Sequence, residues 1–156
     1  MPLNANSIVK LDTRRPSKDE YFLHMLELVA ARSTCIRRTV GAIITDADGI
    51  VLATGYNGTP RGFTHCIDRI CKGGQDAAGD TSRCMAVHAE QNAIIQCTDL
   101  RRAHTIYVSC SPCFVCAKMI ANTSIKRVVC VTEYPDRHDV LATANIELVY
   151  MRDMLK

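Results

Sequence analysis

The chain contains no tryptophan, and aromatic residues make up only 5% of it. A binder of single-stranded nucleic acid needs several rings on which bases can stack, so that class starts at a disadvantage. No apolar run approaches the roughly 18 residues of a membrane-spanning helix. An excess of one charge is also missing: 19 Lys and Arg against 16 Asp and Glu leave +3, too little for a duplex-binding face. Met1–Ser17 carries Arg14-Arg15-Pro16 and no continuous apolar stretch, so it reads as a short tail rather than an export signal. At 47% hydrophobic and 22% charged residues, with mean hydropathy +0.00, wholesale disorder and fibrous architectures are excluded. The 156 residues suit one domain over 1–156. Area scaling predicts that about 69% of the unfolded surface is buried on folding.

Cysteine is the residue in excess, with nine copies. With no export signal the expected compartment is the cytoplasm, where thiols stay reduced. An odd count rules out a fully paired disulfide framework, and clustered cysteines in such a chain point to metal or catalysis. Cys35, Cys66, Cys71, Cys84 and Cys97 are scattered. Cys110, Cys113 and Cys116 crowd together, and Cys130 sits in an apolar run.

Ser17-Lys18-Asp19-Glu20 is a capping box that opens a helix running to about Arg32. Tyr21, Leu23, Met25, Leu26, Leu28 and Val29 form its apolar stripe. Residues 39–45 and 50–54 read as strands joined by the turn Asp46-Ala47-Asp48-Gly49. A Gly-, Asp- and Cys-rich loop over 56–84 follows, long enough that something should pin it. Then come a helix over 87–97, a strand over 105–109, a helix over 113–122, a strand over 126–132, a helix over 137–144 and a strand over 146–150. Alternation of strand and helix in the second half predicts parallel pairing with helices on both faces. The expected class is α/β, a three-layer α/β/α sandwich around a mixed five-stranded sheet.

The chemistry concentrates at two predicted helix starts, His88-Ala89-Glu90 and Pro112-Cys113-Phe114-Val115-Cys116. Residues i and i+3 share a helical face, so Cys113 and Cys116 can reach one ion. Pro112 suits the first helical position, where a missing N–H costs nothing. One imidazole and two thiolates balance Zn²⁺ and leave a fourth tetrahedral position open to water, the pattern of a catalytic site. Glu90, two residues past His88, is placed to take a proton from that water and hand it on. His-x-Glu followed by Pro-Cys-x-x-Cys is the signature of zinc deaminases acting on nucleobases.

These residues resemble the cytidine and deoxycytidylate deaminase superfamily, and the resemblance covers almost the whole chain. His88-Ala89-Glu90-Gln91-Asn92-Ala93-Ile94, Gly55-Tyr56-Asn57-Gly58 and Ser111-Pro112-Cys113-x-x-Cys116 are closest to its deoxycytidylate (dCMP) deaminase group. A nucleoside deaminase would normally carry Cys at the place of His88. A tRNA adenosine deaminase usually lacks both Asn92 and the Tyr-Asn-Gly. The resemblance implies hydrolytic deamination of dCMP to dUMP, with zinc on His88, Cys113 and Cys116 and Glu90 shuttling protons. It further implies that Asn57 meets the deoxyribose, that the Ala89 N–H meets the pyrimidine and that Tyr134 closes the pocket. Asn57-Gly58 could instead simply make the bend, but the turn follows a strand that should end at the site, which favours the sugar contact; Tyr134 reads equally as a half-buried aromatic. Arg61, or basic side chains from a neighbouring loop or subunit, are candidates for the 5′-phosphate.

Similar enzymes sense triphosphates through the segment matching Gly55, Tyr56, Asn57 and Gly58. They are homo-oligomers, dimers to hexamers, activated by Mg-dCTP and inhibited by dTTP, so Mg²⁺ is expected only with such an effector. Cys35, Cys66, Cys71 and Cys84 suggest a second, structural zinc that ties down the loop, with His65 as a substitute ligand; four unrelated free thiols are the alternative. Cys97, Cys110 and Cys130 read as core residues, as do Met25, Met85 and Met119, and His24, His104 and His138 as surface or packing histidines. Rival substrates are dCTP and a 5-substituted dCMP. Rival classes are a tRNA or single-strand base deaminase and a zinc-stabilised interaction protein without chemistry.

Overall fold

Ser17 opens the first helix as its capping box requires. Its Oγ accepts the Glu20 N–H at 3.2 Å, and the Glu20 carboxylate accepts the Ser17 N–H at 2.5 Å. The computed structural model describes residues 14–75, 83–136 and 138–151. Residues 1–13 of the expected tail, residues 76–82 of the Cys-rich loop and Arg137 lie outside these. Helix α1 spans Lys18–Ala30. It buries Phe22, Leu23, Leu26 and Ala30, while Tyr21 and Leu28 stand 50% and 75% exposed. The expected stripe was therefore rotated by about one residue. A spacing of four runs through Phe22, Leu26 and Ala30, with Leu23 three residues before Leu26, and Tyr21 and Leu28 fall off its edge.

Strands β1 (Gly41–Thr45) and β2 (Val51–Tyr56) form the expected hairpin. Its turn is held by the Asp46 carboxylate, which accepts the Asp48 and Ile50 N–H groups at 3.1 and 2.8 Å, and by Gly49 at φ +89°. Strand β2 runs two residues past its predicted end. The described part of the loop that follows includes a short 3₁₀ turn, Lys72–Gln75, which the absence of periodicity did not announce. Helix α2 (Ala89–Gln96), strand β3 (Thr105–Cys110), helix α3 (Phe114–Ala121) and strand β4 (Arg127–Thr132) follow within a residue or two of expectation. Helix α4 is a single turn, Val140–Thr143, before β5, Glu147–Tyr150.

The five strands lie in the order β2-β1-β3-β4-β5. β1 is antiparallel to β2 and β3, whereas β3, β4 and β5 are parallel, so the sheet is mixed. Side chains alternate between its faces. Ile43, Tyr107, Val129 and Val131 meet Phe22, Leu23 and Leu26 of α1. Ala42, Ile44, Ile106, Val108, Val128 and Cys130 meet Ala89 and Ala93 of α2, Ala117 and Ile120 of α3, and Leu141 of α4. The three layers are those expected. Because β1 opposes β3, its start lies beside the end of β3: Ala42 faces Val108, and the Gly41 N–H reaches the Ser109 Oγ at 3.0 Å. Cys110 in turn faces Thr132 of β4. The chain segments before β1 and after β3 and β4 thus leave the sheet at its carboxyl end, where α/β folds place their sites.

On the α1 face a charge network clamps the layers. Both oxygens of Asp19 accept from the Arg127 guanidinium at 2.8 Å, the Tyr107 hydroxyl donates to Asp19 at 2.8 Å, and the Arg127 Nε donates to Glu147 at 3.1 Å. The hydrogen bond from Arg127 holds the Asp19 carboxyl below its ordinary range despite partial burial. A depressed carboxyl stabilises the fold fully above its unfolded value, about 3.9, and loses that contribution as pH falls through the lower folded value. Asp19→Asn is expected to cost about 1–3 kcal/mol at pH 7, with a gap from the wild type that narrows below pH 4. Urea melts at pH 7 and pH 3 measure it, and a gap independent of pH would sink the ion-pair account.

Candidate metal centre

Two helix starts converge over the carboxyl end of the sheet, and each is seated by identifiable contacts. His88 is the N-cap of α2, and its N–H is taken by the Gln91 Oε1 at 2.9 Å. Asn92 donates from Nδ2 to the Tyr56 carbonyl at 2.8 Å, tying α2 to the end of β2. Gly55 lies beneath this helix. A Cβ there would stand 2.3 Å from the Ala89 oxygen and 2.4 Å from the Ala93 nitrogen, so no larger residue lets α2 sit this close.

Cys113 is the N-cap of α3 and Cys116 its third residue. Pro112 therefore precedes the cap instead of occupying the first helical position, a correction that leaves its missing N–H equally harmless. The α3 start has two supports that sequence reasoning missed. Asp136, from the loop after β4, accepts the Phe114 N–H at 2.9 Å, and a ring nitrogen of His138 lies 3.0 Å from the Pro112 carbonyl. His138, expected at the surface or in packing, thus braces the bend before Cys113. Neither residue sits in a motif, and only the return of the chain after β4 brings them to α3.

The His88 Nδ1 lies 3.5 Å from the Cys113 Sγ and 3.4 Å from the Cys116 Sγ. Tetrahedral zinc with bonds of about 2.05 Å to nitrogen and 2.3 Å to sulfur separates such atoms by about 3.5 Å, so the residues present fit the ion. Among the described residues, this is the one trio of ligating atoms within 4.8 Å of one another. The Cys116 thiol, with the His88 imidazole, draws the Cys113 thiol down to about 4. Its hydrogen bond to Cys113 raises His88, and a separate hydrogen bond to Cys113, together with burial, raises Cys116. Both helix N-termini add positive partial charge at the ligands. Glu90 is 4% exposed, and burial pushes its carboxyl above the ordinary range. A carboxyl held in that state beside the ligand trio suits proton transfer.

The other expected site residues have varied settings in the fold. Ala89 is fully buried, and its N–H, in the first turn of α2, has no intrahelical acceptor. Tyr134 is half-buried two residues past β4, with its N–H on the Ser111 Oγ at 2.8 Å. Asn57 is 7% exposed. Its Oδ1 accepts the Val40 N–H at 2.9 Å and the Ser33 hydroxyl at 2.6 Å, and its Nδ2 donates to the Arg38 carbonyl at 2.8 Å. Gly58 is buried against Thr34, Tyr56 is half-buried and Arg61 is exposed. Two expectations need correction. Cys110 is half-buried, not core, and lies near Glu90 and Arg38, with burial raising its thiol to about 11. Met85 is 40% exposed, because it belongs to the Cys-rich loop and not to a packed element. Cys97 and Cys130 are buried as expected.

Cys35, Cys66, Cys71 and Cys84 all line one cavity of about 10 Å³, together with Arg37, Gly58, Thr59, Gly74 and Ala86. Backbone N–H groups point at three of the sulfurs: Arg37 at Cys35 (3.4 Å), Cys71 at Cys66 (3.4 Å) and Gly74 at Cys71 (3.3 Å). Burial raises the Cys71 thiol, but the Gly74 amide, the Cys66 thiol and the Met85 and Gly73 amides bring it below its ordinary value. His65 is exposed and does not line the cavity.

Residues 16–132 match the family described as the cytidine and deoxycytidylate deaminase zinc-binding region. The chain is 37% identical over 142 residues to the deoxycytidylate deaminase of Schizosaccharomyces pombe, covering 86% of this chain but 44% of that protein. It is 42% identical over 123 residues to the deoxycytidylate deaminase of Mycobacterium phage D29, covering 74% of this chain and 94% of the phage protein. Among solved structures, the dCMP deaminase from cyanophage S-TIM5 in complex with dCMP and dUMP superimposes with a TM-score of 0.71 at 32% identity, over 88% of this chain and 99% of that one. The family resemblance and the α/β fold expected from the motifs are thereby established.

Replacement of Cys116, whose sulfur is fully buried at the ligand trio, tests the centre directly. Cys116→Ser is expected to lower zinc affinity at this centre about 100-fold or more and to weaken the thiolate-to-cobalt charge-transfer band of the cobalt-substituted protein by the share of one sulfur ligand. Unchanged metal content and an unchanged band would show that the ion sits elsewhere.

Proposed function

The chain belongs to the cytidine and deoxycytidylate deaminase family, and from that membership we propose that it is a hydrolase converting dCMP and water to dUMP and ammonia, supplying dUMP for thymidylate synthesis. The observation that carries this reading is the buried Glu90 beside the ligand trio His88, Cys113 and Cys116. A purely structural metal site has no use for a buried carboxylate at its side. Support for the substrate comes from the relatives named deoxycytidylate deaminases and from the phage enzyme solved with dCMP and dUMP.

His88, Cys113 and Cys116 would hold the zinc, which supplies Lewis-acid activation of water. Glu90 takes the proton of the attacking water as its oxygen bonds to C4 of cytosine. The same carboxyl then gives a proton to N3 and assists the amino group, which leaves C4 as ammonia while the carbonyl of uracil forms. Burial of Glu90 keeps its affinity for the proton high enough to accept and return it within one turnover. The Ala89 N–H orients the pyrimidine, the remaining N–H of the Asn57 carboxamide reaches the deoxyribose, Tyr134 closes the pocket, and Arg61 approaches the 5′-phosphate from the loop after β2.

Regulation is part of the proposal. The segment Gly55, Tyr56, Asn57 and Gly58 would sense Mg-dCTP as activator and dTTP as inhibitor in a cytoplasmic homo-oligomer, with Mg²⁺ bound only through the triphosphate. Among the described residues no helix is long and apolar enough to cross a membrane. A second, structural zinc on Cys35, Cys66, Cys71 and Cys84 would pin the long loop. The shared cavity and the amides aimed at three sulfurs support it.

Ammonia release from dCMP by the zinc-replete protein tests the reaction, with dCTP, 5-methyl-dCMP, cytidine and a tRNA as competing substrates. Glu90→Gln is expected to lower kcat by about 10²–10⁴-fold with zinc retained. No turnover of dCMP, with or without Mg-dCTP, would overturn the proposal. Zinc analysis of the wild type should return about two ions per chain, falling to about one in Cys71→Ser; one ion in the wild type removes the second site.

A further inference from the structure

The N-cap and the third residue of a helix are the two positions whose side chains close its start. In α1 they are Ser17 and Glu20, each taking the other's N–H. In α3 the same two positions are Cys113 and Cys116. The spacing that brings two sulfurs to one ion is therefore the spacing of a capping box, and both residues are committed to the ligand trio. Among the described residues the Cys113 side chain makes no capping hydrogen bond. A helix start of this kind has N–H groups that its own side chains leave unpaired, next to a centre that needs exact geometry. Another part of the chain has to hold it.

The loop after β4 does so on both sides of Cys113. The Asp136 Oδ2 accepts the Phe114 N–H at 2.9 Å, and the His138 Nε2 donates to the Pro112 carbonyl at 3.0 Å. Those two backbone groups belong to the peptide planes that flank Cys113. Each plane is rigid, so the direction of the Cβ depends only on the two torsions between them. These stand at φ −68° and ψ 167°, and pinning both planes fixes both angles. A carboxylate at this place also meets the positive end of the helix dipole through a charge-assisted bond. The Phe114 ring packs the same corner, edge-on to the His138 imidazole at 5.9 Å between centroids. Helix α2 needs no such help. Its third position is Gln91, which is no ligand and takes the His88 N–H itself.

We propose that Asp136 and His138 are positioning residues of the metal centre: they replace the cap that Cys113 and Cys116 give up, and by fixing Cys113 they set how tightly the centre holds zinc. They act through the backbone on either side of Cys113, not on the ion. This rests on the reading of His88, Cys113 and Cys116 as the zinc ligands and is independent of the substrate. It has a consequence for the fold: the ligand helix is set only once β4 and the loop after it are in place, so retention of the ion reports on that loop.

The test loads the full chain with cadmium-113, whose NMR spectrum gives each bound ion its own resonance. The signal that changes in Cys116→Ser identifies the centre, separately from any second ion. Its chemical shift, and its affinity by competition with a chelator, are then read in wild type, Asp136→Ala, Asp136→Asn, His138→Phe and Asp19→Ala. Asp136→Ala is expected to weaken binding at the centre about 10- to 100-fold and to move the resonance. Asparagine, a good cap without the charge, should restore most of both. His138→Phe keeps a ring but has no donor for Pro112, and is expected to cost about 10-fold; should Asp136→Ala not fold, it decides alone. Asp19→Ala weakens the fold at α1 and should leave shift and affinity unchanged. An unmoved resonance and affinity in Asp136→Ala or His138→Phe, no recovery with asparagine, or an equal loss in Asp19→Ala overturns the proposal. A spectrum indifferent to Cys116→Ser overturns the ligand assignment beneath it.

Discussion

A methyl group on residue 55 would stand 2.3 Å from the carbonyl oxygen of Ala89, so α2 can rest where it does only over a glycine. Much of the site follows from that contact. With α2 pressed onto β2, its N-cap His88 and buried Glu90 lie at the carboxyl end of the sheet, and Asn92 locks the position by bonding the Tyr56 carbonyl. The small side chains of Ala89 and Ala93 serve the same end, since a metal centre tolerates errors of only a few tenths of an ångström in its ligands. On the other side, Ala117 and Ile120 seat α3 against the same sheet, and Asp136 and His138 brace its first turn.

Ionisation separates the two faces of the molecule. Asp19 and Glu90 are both acidic, both hydrogen-bonded and both perturbed, but in opposite directions. Asp19 meets a bidentate arginine and gives up its proton more readily, which ties α1 to three strands. Glu90 meets an apolar enclosure beside thiols, and burial holds its proton more tightly. A shift by itself does not mark function. The lowered group sits in a saturated network with nothing left to do, whereas the raised one stands next to an incomplete set of metal ligands. A cation in that set offsets the cost of burying Glu90 and two thiolates together.

The architecture was largely legible because its signals are local. A capping box starts α1, Asp-Ala-Asp-Gly turns the hairpin, and alternating strands and helices imply the parallel half of the sheet. The Cys-x-x-Cys spacing places two sulfurs on one helical turn, whatever the rest of the chain does. Where reading failed, the deciding partner was remote. The face of α1 was misjudged by one residue because Tyr107 and Val129, which bury Phe22, are some 80 residues away or more. Cys110, expected in the core, is half-buried because it ends β3 at the carboxyl edge of the sheet. Met85, expected in the core, is 40% exposed because it lies in the Cys-rich loop.

What the sequence by itself determined is the chemistry available: an imidazole, two thiolates three residues apart and a carboxylate two residues from the imidazole, each at the start of a helix. Covalent spacing and helix geometry suffice for that, since neither depends on distant residues. Tertiary structure decided which of these groups meet, and which unmarked residues join them. Crossing from β1 past β3 to β4 brings Arg38 over Tyr134, and the return of the chain after β4 sets Asp136 and His138 against α3. Four cysteines spread over 50 positions reach one cavity because the long loop after β2 folds onto the segment between α1 and β1. These contacts join residues that share no motif and no period, so only the assembled sheet with helices on both of its faces could bring them together.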